Sequence, residues 1–350
     1  MHYRNILVIK LSAIGDVIHA LPVAAALKKC FPQAKITWVV EKAAYDILTN
    51  NPYIDDLIVF EKAKFKTIGN LIQYAPGFIN DLRSRKFDLA LDLQGLFKST
   101  VIAYLSGAPT RLVYENAREG SSLLSKRIIG NYAEGHIVDR YLDVVRALGC
   151  TVGKPVFPVV ITEEEAARTS ALMAHAGLMA DIPYVVLALG ANWPNKIWPA
   201  EKYAEICDHL QADGKTAPVI VGGPGEIPLL ERLLANTQIP PVSLVGKTTL
   251  KQLAHIIKHA QAFIGGDTGP MHLSAALGTP TIALMGPTDK IRNGPYGESH
   301  KVILVDKQCA GCWRRKCPKG LDCLAGINAD EVYVALMDII KRGDMHRSLR

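Results

Sequence analysis

No stretch of the 350-residue chain approaches the roughly 18 consecutive apolar residues of a membrane-spanning helix, which excludes a protein threaded through a bilayer by helices. A long Lys/Arg run is also missing. The formal net charge of +7 is spread along the sequence, so an anionic partner suits it and nucleic acid is not required. Short-period repeats and low-complexity tracts are absent. Neither G-x-G-x-x-G nor a Walker pattern occurs, which counts against dinucleotide oxidoreductases and P-loop enzymes. There is no aspartate-rich metal motif.

What is present is an ordinary globular balance, 49% hydrophobic and 21% charged, able to bury sizeable cores. The length favours two domains. Residues 1–10 already read as a hydrophobic strand rather than a signal peptide, so the expectation is a cytoplasmic protein.

Short β-branched runs at residues 6–9, 36–40, 57–60 and 89–93 alternate with helical stretches, which is the grammar of a parallel sheet. It restarts with runs at 185–189, 219–221, 263–265 and 281–284. Between the halves lie Pro155, Pro158 and the acidic Glu163-Glu164-Glu165, which opens a helix. The expected division is therefore 1–155, 156–330 and a C-terminal helix and tail at 331–350, within an α/β fold of two similar halves.

Ligands of such sheets bind beyond the carboxyl ends of the strands, so the loops there carry the chemistry. After the first strand, Leu11-Ser12-Ala13-Ile14-Gly15-Asp16 leads into a helix expected near Val17. An acid beside a helix start is favoured in its ionised form, as a general base requires; plain capping is the alternative. In the second half, Gly266-Asp267-Thr268-Gly269-Pro270-Met271-His272 follows a strand and opens a helix. Thr268 is a cap candidate, and the free N–H groups there suit a diphosphate. A merely well-capped helix gives no reason for Asp267 and His272 to flank one turn.

Two more loops, Gly190-Ala191-Asn192-Trp193-Pro194-Asn195-Lys196 and Gly222-Gly223-Pro224-Gly225-Glu226, point to the same edge. Lys196 offers a charge to phosphate and Glu226 a carboxylate to ribose hydroxyls. In the first half, Lys98 follows Asp92-Leu93-Gln94-Gly95, and Arg118 lies downstream; both suit an anionic acceptor. Lys62, Lys64 and Lys66 add positive charge or form a solvated face. His136 reads as a surface histidine or a ligand contact.

Seven cysteines are present. Cys30, Cys150 and Cys207 are scattered, whereas Cys309, Cys312, Cys317 and Cys323 crowd one segment. Four thiols so close can make a structural zinc site, although C-x₂-C-x₄-C-x₅-C is unlike the usual paired knuckles; reduced thiols or disulfides in a surface loop are the alternative.

Ser12-Ala13-Ile14-Gly15-Asp16-Val17-Ile18-His19, together with Asp267-Thr268-Gly269-Pro270-Met271-His272 and Gly286-Pro287-Thr288-Asp289, resembles the heptosyltransferases of glycosyltransferase family 9. The resemblance spans most of the chain. Asp92-Leu93-Gln94-Gly95-Leu96-Phe97-Lys98-Ser99 and Ala117-Arg118-Glu119 resemble the acceptor side of the type I enzymes, and the cysteine segment departs from them.

The resemblance implies a GT-B fold, with two Rossmann-like domains facing a central cleft, and an inverting transfer of heptose from ADP-heptose to Kdo-lipid A or inner-core lipopolysaccharide. Asp16 is then the base and Lys196 meets the departing diphosphate. Ser12, Gly15, Asn192, Glu226, Asp267, Thr268, Gly269 and His272 line the donor site, while Lys98, Arg118 and Lys64 meet the acceptor. No cofactor is implied. The partner surface is the inner face of the inner membrane, approached around Trp38, Phe65 and Phe78. Other transferases of the family (type II or autotransporter heptosyltransferases), a UDP-sugar epimerase of similar fold, or a non-enzymatic scaffold are the alternatives.

Overall fold

Runs of apolar residues with no polar alternation belong to strands covered on both faces, and the chain buries them in two parallel sheets. The computed structural model describes residues 2–179, 181–320 and 322–348, with side chains to residue 342. Two units are formed, Met1–Val160 and Ile161–Arg350. The division falls a little after residue 155, because the Asn51 side chain donates to the Pro158 carbonyl (3.2 Å) and ties that stretch to the first unit.

In the first unit the order is β1 (Asn5–Ile9), α1 (Ile14–Cys30), β2 (Lys35–Val40), α2 (Lys42–Leu48), β3 (Asp56–Val59), α3 (Ile68–Ser84), β4 (Leu89–Asp92), α4 (Phe97–Leu105), β5 (Thr110–Val113), β6 (Lys126–Arg127) and α5 (Ile137–Arg146). Its strands lie in the order β3-β2-β1-β4-β5-β6. The order reverses at β1 and β4, so the loops after these two strands stand at the topological switch point. Leu7, Ile9, Val39 and Ala90 pack with Leu82, Ile102 and Ala103 of the helices on one face.

Trp38 is not a surface residue. It is fully buried in β2 and its indole N–H donates to the Lys10 carbonyl (3.2 Å). Phe65 and Phe78 also turn inward, packing with Phe60 at ring separations of 4.8–5.8 Å. The most exposed large apolar side chains nearby are Ile68 and Ile72, on the first turns of α3, with Leu71 and Tyr74 exposed beside them. Cys30 and Cys150, scattered in the sequence, form a disulfide between the end of α1 and the segment after α5.

The second unit runs α6 (Glu163–His175), β7 (Tyr184–Ala188), α7 (Ala200–Asp213), β8 (Ala217–Val221), α8 (Ile227–Leu234), β9 (Val242–Ser243), α9 (Leu250–Lys258), β10 (Ala262–Gly266), α10 (Gly269–Leu277), β11 (Thr281–Met285), α11 (Lys290–Asn293), β12 (Lys301–Leu304) and α12 (Ala329–Ser348). Its strand order is β12-β11-β10-β7-β8-β9. The C-terminal helix is no separate tail: Val332, Ala335 and Leu336 of α12 join Trp198, Tyr203 and Ile264 in this unit's core. Among the described residues no helix is long and apolar enough to cross a membrane.

Candidate active site

In the first unit α1 begins at Ile14, three residues before Val17, and this sets Asp16 in its first turn. The Asp16 carboxylate accepts the Ala13 N–H (3.2 Å), so it closes the helix start from inside rather than capping it from outside. The ammonium of Lys10, itself buried, stands 3.9 Å away. Ser12 and Gly15 lie in the same loop and turn.

That loop is held from β4. The side-chain oxygen of Gln94 accepts the N–H groups of Leu11 (3.1 Å) and Ser12 (3.2 Å). Gln94 is positioned in turn by Asp92, whose buried carboxylate accepts the backbone N–H groups of Gln94 and Gly95 and the hydroxyls of Ser99 and Thr100. Burial nevertheless pushes the Asp92 carboxyl above its ordinary value.

Gly95 adopts φ +65°, and a Cβ there would stand 2.9 Å from the Asn116 carbonyl oxygen, so only glycine lets the 116–118 loop approach. The Arg118 N–H donates to the Gly95 carbonyl (2.9 Å), which brings Arg118 and Lys98 to one edge of the sheet. Lys98 pairs with Glu41 (2.7 Å), while the Arg118 side chain is exposed. Lys64 is not part of this group. It follows β3, at the far side of the sheet, and is engaged by Glu61 (2.6 Å) and the Tyr74 ring. His136 caps α5, its Nδ1 accepting the Val138 N–H (3.2 Å), and its ring meets His19 edge-on.

In the second unit the loaded loops follow β7, β8, β10 and β11, which include the three adjacent strands β10-β7-β8. Asp267, at the end of β10, is buried and receives three partners: Lys196 (2.6 Å), Nε2 of His272 (2.9 Å) and the Thr288 hydroxyl (2.6 Å). Burial alone would push its carboxyl up, but His272 and Lys196 together hold it well below the usual carboxylate range. Asp267 is thus an internal hub that orients Lys196 and His272. Thr288 was not singled out from the sequence; its presence in the Gly286-Pro287-Thr288-Asp289 turn at a strand end was the available signal.

Lys196 reaches Asp267 because its own backbone crosses over β10. A Cβ on Gly266 would lie 2.4 Å from the Lys196 carbonyl oxygen, so the crossing requires glycine. Its ammonium also sits 4.6 Å from the centre of the Trp193 ring. At the start of α10, Thr268 occupies the cap position with extended backbone, but its hydroxyl donates to the Gly266 carbonyl (3.3 Å) instead of accepting from the helix. The expected Thr268 cap is therefore not made, and the N–H groups of Gly269 and Met271 keep their anion-binding capacity.

The glycines of the other two loops surround Glu226. A Cβ at Gly190 would meet its Cγ at 2.1 Å, and those at Gly222 and Gly223 would come within 3.2 Å and 3.0 Å of its side chain. These glycines make room for a carboxylate at the ligand edge. The structure so brings Asn192, Lys196, Glu226, Asp267, Thr268, Gly269 and His272 to one edge of one sheet.

The cysteine segment lies beside this edge. Cys309 and Cys312 are exposed, and Cys317 and Cys323 are partly buried. Burial pushes the Cys323 thiol up, Lys307 draws it down and the neighbouring cysteines add to the rise. Among the described residues no group of three or more His, Cys, Asp or Glu is arranged to hold a metal ion, so the zinc expectation at Cys309, Cys312, Cys317 and Cys323 finds no support.

Two doubly wound sheets, with polar loops at the carboxyl edges and an uncapped helix start in the second, are the architecture of GT-B glycosyltransferases. The sequence matches glycosyltransferase family 9 (heptosyltransferase) over residues 77–321, and the chain belongs to that family. It is 30% identical over 292 residues to lipopolysaccharide heptosyltransferase 3 of Escherichia coli, covering 81% of this chain and 84% of that protein. With lipopolysaccharide heptosyltransferase 1 of Pseudomonas aeruginosa the identity is 29% over 326 residues, 89% and 87% of the two chains. The solved structure of the E. coli heptosyltransferase WaaC with ADP superposes with a TM-score of 0.75 at 24% identity, covering 96% of this chain and 99% of that one. The protein is a glycosyltransferase of the lipopolysaccharide-core heptosyltransferase family.

Proposed function

We propose that the protein transfers heptose from ADP-heptose to the Kdo region of the lipopolysaccharide inner core by a single inverting displacement. The observation that carries this reading is the Lys196–Asp267–His272 hub beside the uncapped start of α10. A glycosyl transition state is oxocarbenium-like, so the main electrostatic demand is the charge gathering on the departing diphosphate. Lys196 and the N–H groups of α10 meet part of it, and the reaction asks for no cofactor. Glu226 accepts from the ribose. Asp16, presented at the switch point of the other unit, takes the proton of the acceptor hydroxyl.

Lys98 and Arg118 suit the acid groups of a Kdo-bearing acceptor, and Lys64 adds charge at a distance. That acceptor is anchored in the inner membrane, and the exposed Ile68 and Ile72 beside Lys62 and Lys66 support contact of α3 with its cytoplasmic face. The 30% identity to a heptosyltransferase 3 favours one second reading, transfer to a core that already carries heptose.

ADP release from ADP-heptose with Kdo-lipid A, compared between wild type and Asp16→Asn, tests the proposal. Acceptor-dependent release that falls by about 10²–10⁴ in the variant is expected, the usual loss when a general base is removed. Release only with a heptosylated core would move the acceptor. Undiminished release by Asp16→Asn would remove Asp16 as the base.

A further inference from the structure

The cysteine-rich segment has no part in the reading above, yet its anchoring points give it a definite place. β10 lies between β11 and β7, so the turn at Asp267-Thr268-Gly269 has the β11 loop on one side and the β7 loop on the other. The segment is fastened to both.

On the β11 side, the Gly311 N–H donates to the Gly286 carbonyl (2.8 Å) and the Trp313 N–H to the Pro287 carbonyl (2.7 Å). Cys323 packs under the same loop: a Cβ on Gly286 would stand 2.7 Å from its Sγ. The Arg292 guanidinium covers the Trp313 ring at 5.2 Å. On the β7 side, the buried Asn195 amide donates to the Arg314 carbonyl, and the Arg315 guanidinium donates to the Asn192 carbonyl (3.4 Å). Residues 313–315 therefore bridge the two loops past the carboxyl end of β10.

We propose that this bridge is a wall of the donor site and that Arg315 is a diphosphate-binding residue. The inference rests on the donor reading above. Its physical ground is charge. Lys196 is already paired with the buried, ionised Asp267, so the pair brings little net positive charge to a ligand carrying more than one negative charge. Among the described residues Arg315 has no carboxylate partner, and it is fastened to the loop that carries Lys196. Its fork of donors is suited to two phosphate oxygens.

Calorimetric titration of the full chain with ADP and with adenosine, for wild type, Arg315→Ala and Arg315→Lys, tests this. In Arg315→Ala the ADP Kd should rise about tenfold, the worth of one charge-assisted hydrogen bond, and the adenosine Kd should stay unchanged. Arg315→Lys should recover part of the loss. Equal ADP affinity in wild type and Arg315→Ala overturns the assignment. So does a parallel loss for adenosine, which would show that Arg315 only shapes the loop. Failure of the wild type to bind ADP would instead overturn the donor reading.

Discussion

Gln94 fixes the loop that presents Asp16: its side-chain oxygen accepts two consecutive N–H groups, those of Leu11 and Ser12, across the boundary between β4 and β1. Replacing Gln94 with Leu leaves both donors without this acceptor in a buried setting. At roughly 1–3 kcal/mol for an unsatisfied buried donor, a destabilisation of about 2 kcal/mol is expected from the urea midpoint. Turnover should fall as well, because the loop that presents Asp16 loses its anchor on β4. A variant with normal kcat would show that the loop keeps Asp16 in place unaided.

Asp267 makes a prediction about acid. Its carboxyl is held below the usual range in the folded chain, so in acid the unfolded state binds the proton more readily than the native one. The resulting stabilisation is complete above the ordinary carboxylate value of about 3.9 and is lost as pH falls toward the depressed native value. Asp267→Asn removes one member of a buried charged cluster, a change that typically costs about 3–5 kcal/mol. The gap in urea midpoint between wild type and variant should therefore be full at pH 7 and narrow on acidification below about pH 4. A gap independent of pH would mean that the carboxylate's charge is not what stabilises the turn.

The strands β1, β2, β4, β7, β10 and β11 were legible because each is a continuous apolar run covered on both faces. β6 and β9, two residues each, leave no such signal. The start of α1 was misplaced because Asp16 looks like a cap, whereas its partner is the Ala13 N–H in the chain before it. At the site the residue types were readable and the partnerships were not. Gly190 and Glu226 are far apart in sequence and meet only when β7 and β8 lie side by side. Asp267 shows the same limit: Lys196, His272 and Thr288 come to it from three separate positions, and sequence spacing reveals only His272. Nothing in the sequence marks Trp38 as interior, because one aromatic in an apolar strand carries no sign of which neighbours will cover it.

The first turns of α3 carry Ile68 at 79% and Ile72 at 70% exposure, next to Lys62 and Lys66. Apolar side chains rimmed by lysines suit an anionic bilayer surface, where each basic residue adds about 1 kcal/mol and salt weakens the attraction. Sedimentation with phosphatidylglycerol vesicles at low salt should capture the wild type and release Ile68→Ser/Ile72→Ser at least about tenfold more readily, since two isoleucines lose their burial. Equal capture of both proteins would take α3 out of the contact.

The Cys30–Cys150 disulfide closes a loop of sequence separation 120 and ties the end of α1 to the segment that follows α5, a helix already packed against α1. In the chain-entropy account a loop of this size stabilises the native state by about 4–5 kcal/mol, through restriction of the unfolded chain. Both cysteines belong to the first unit, so reduction should lower the stability of that unit and spare the second. Scanning calorimetry with and without dithiothreitol should show the first unit's transition moving down by about 10–20 °C, at roughly 2–4 °C per kcal/mol for a unit of this size. Cys30→Ser should reproduce the shift and abolish the response to reductant. A transition indifferent to reductant, with two titratable thiols lost in Cys30→Ser/Cys150→Ser, would show that α1 and α5 hold together by packing alone.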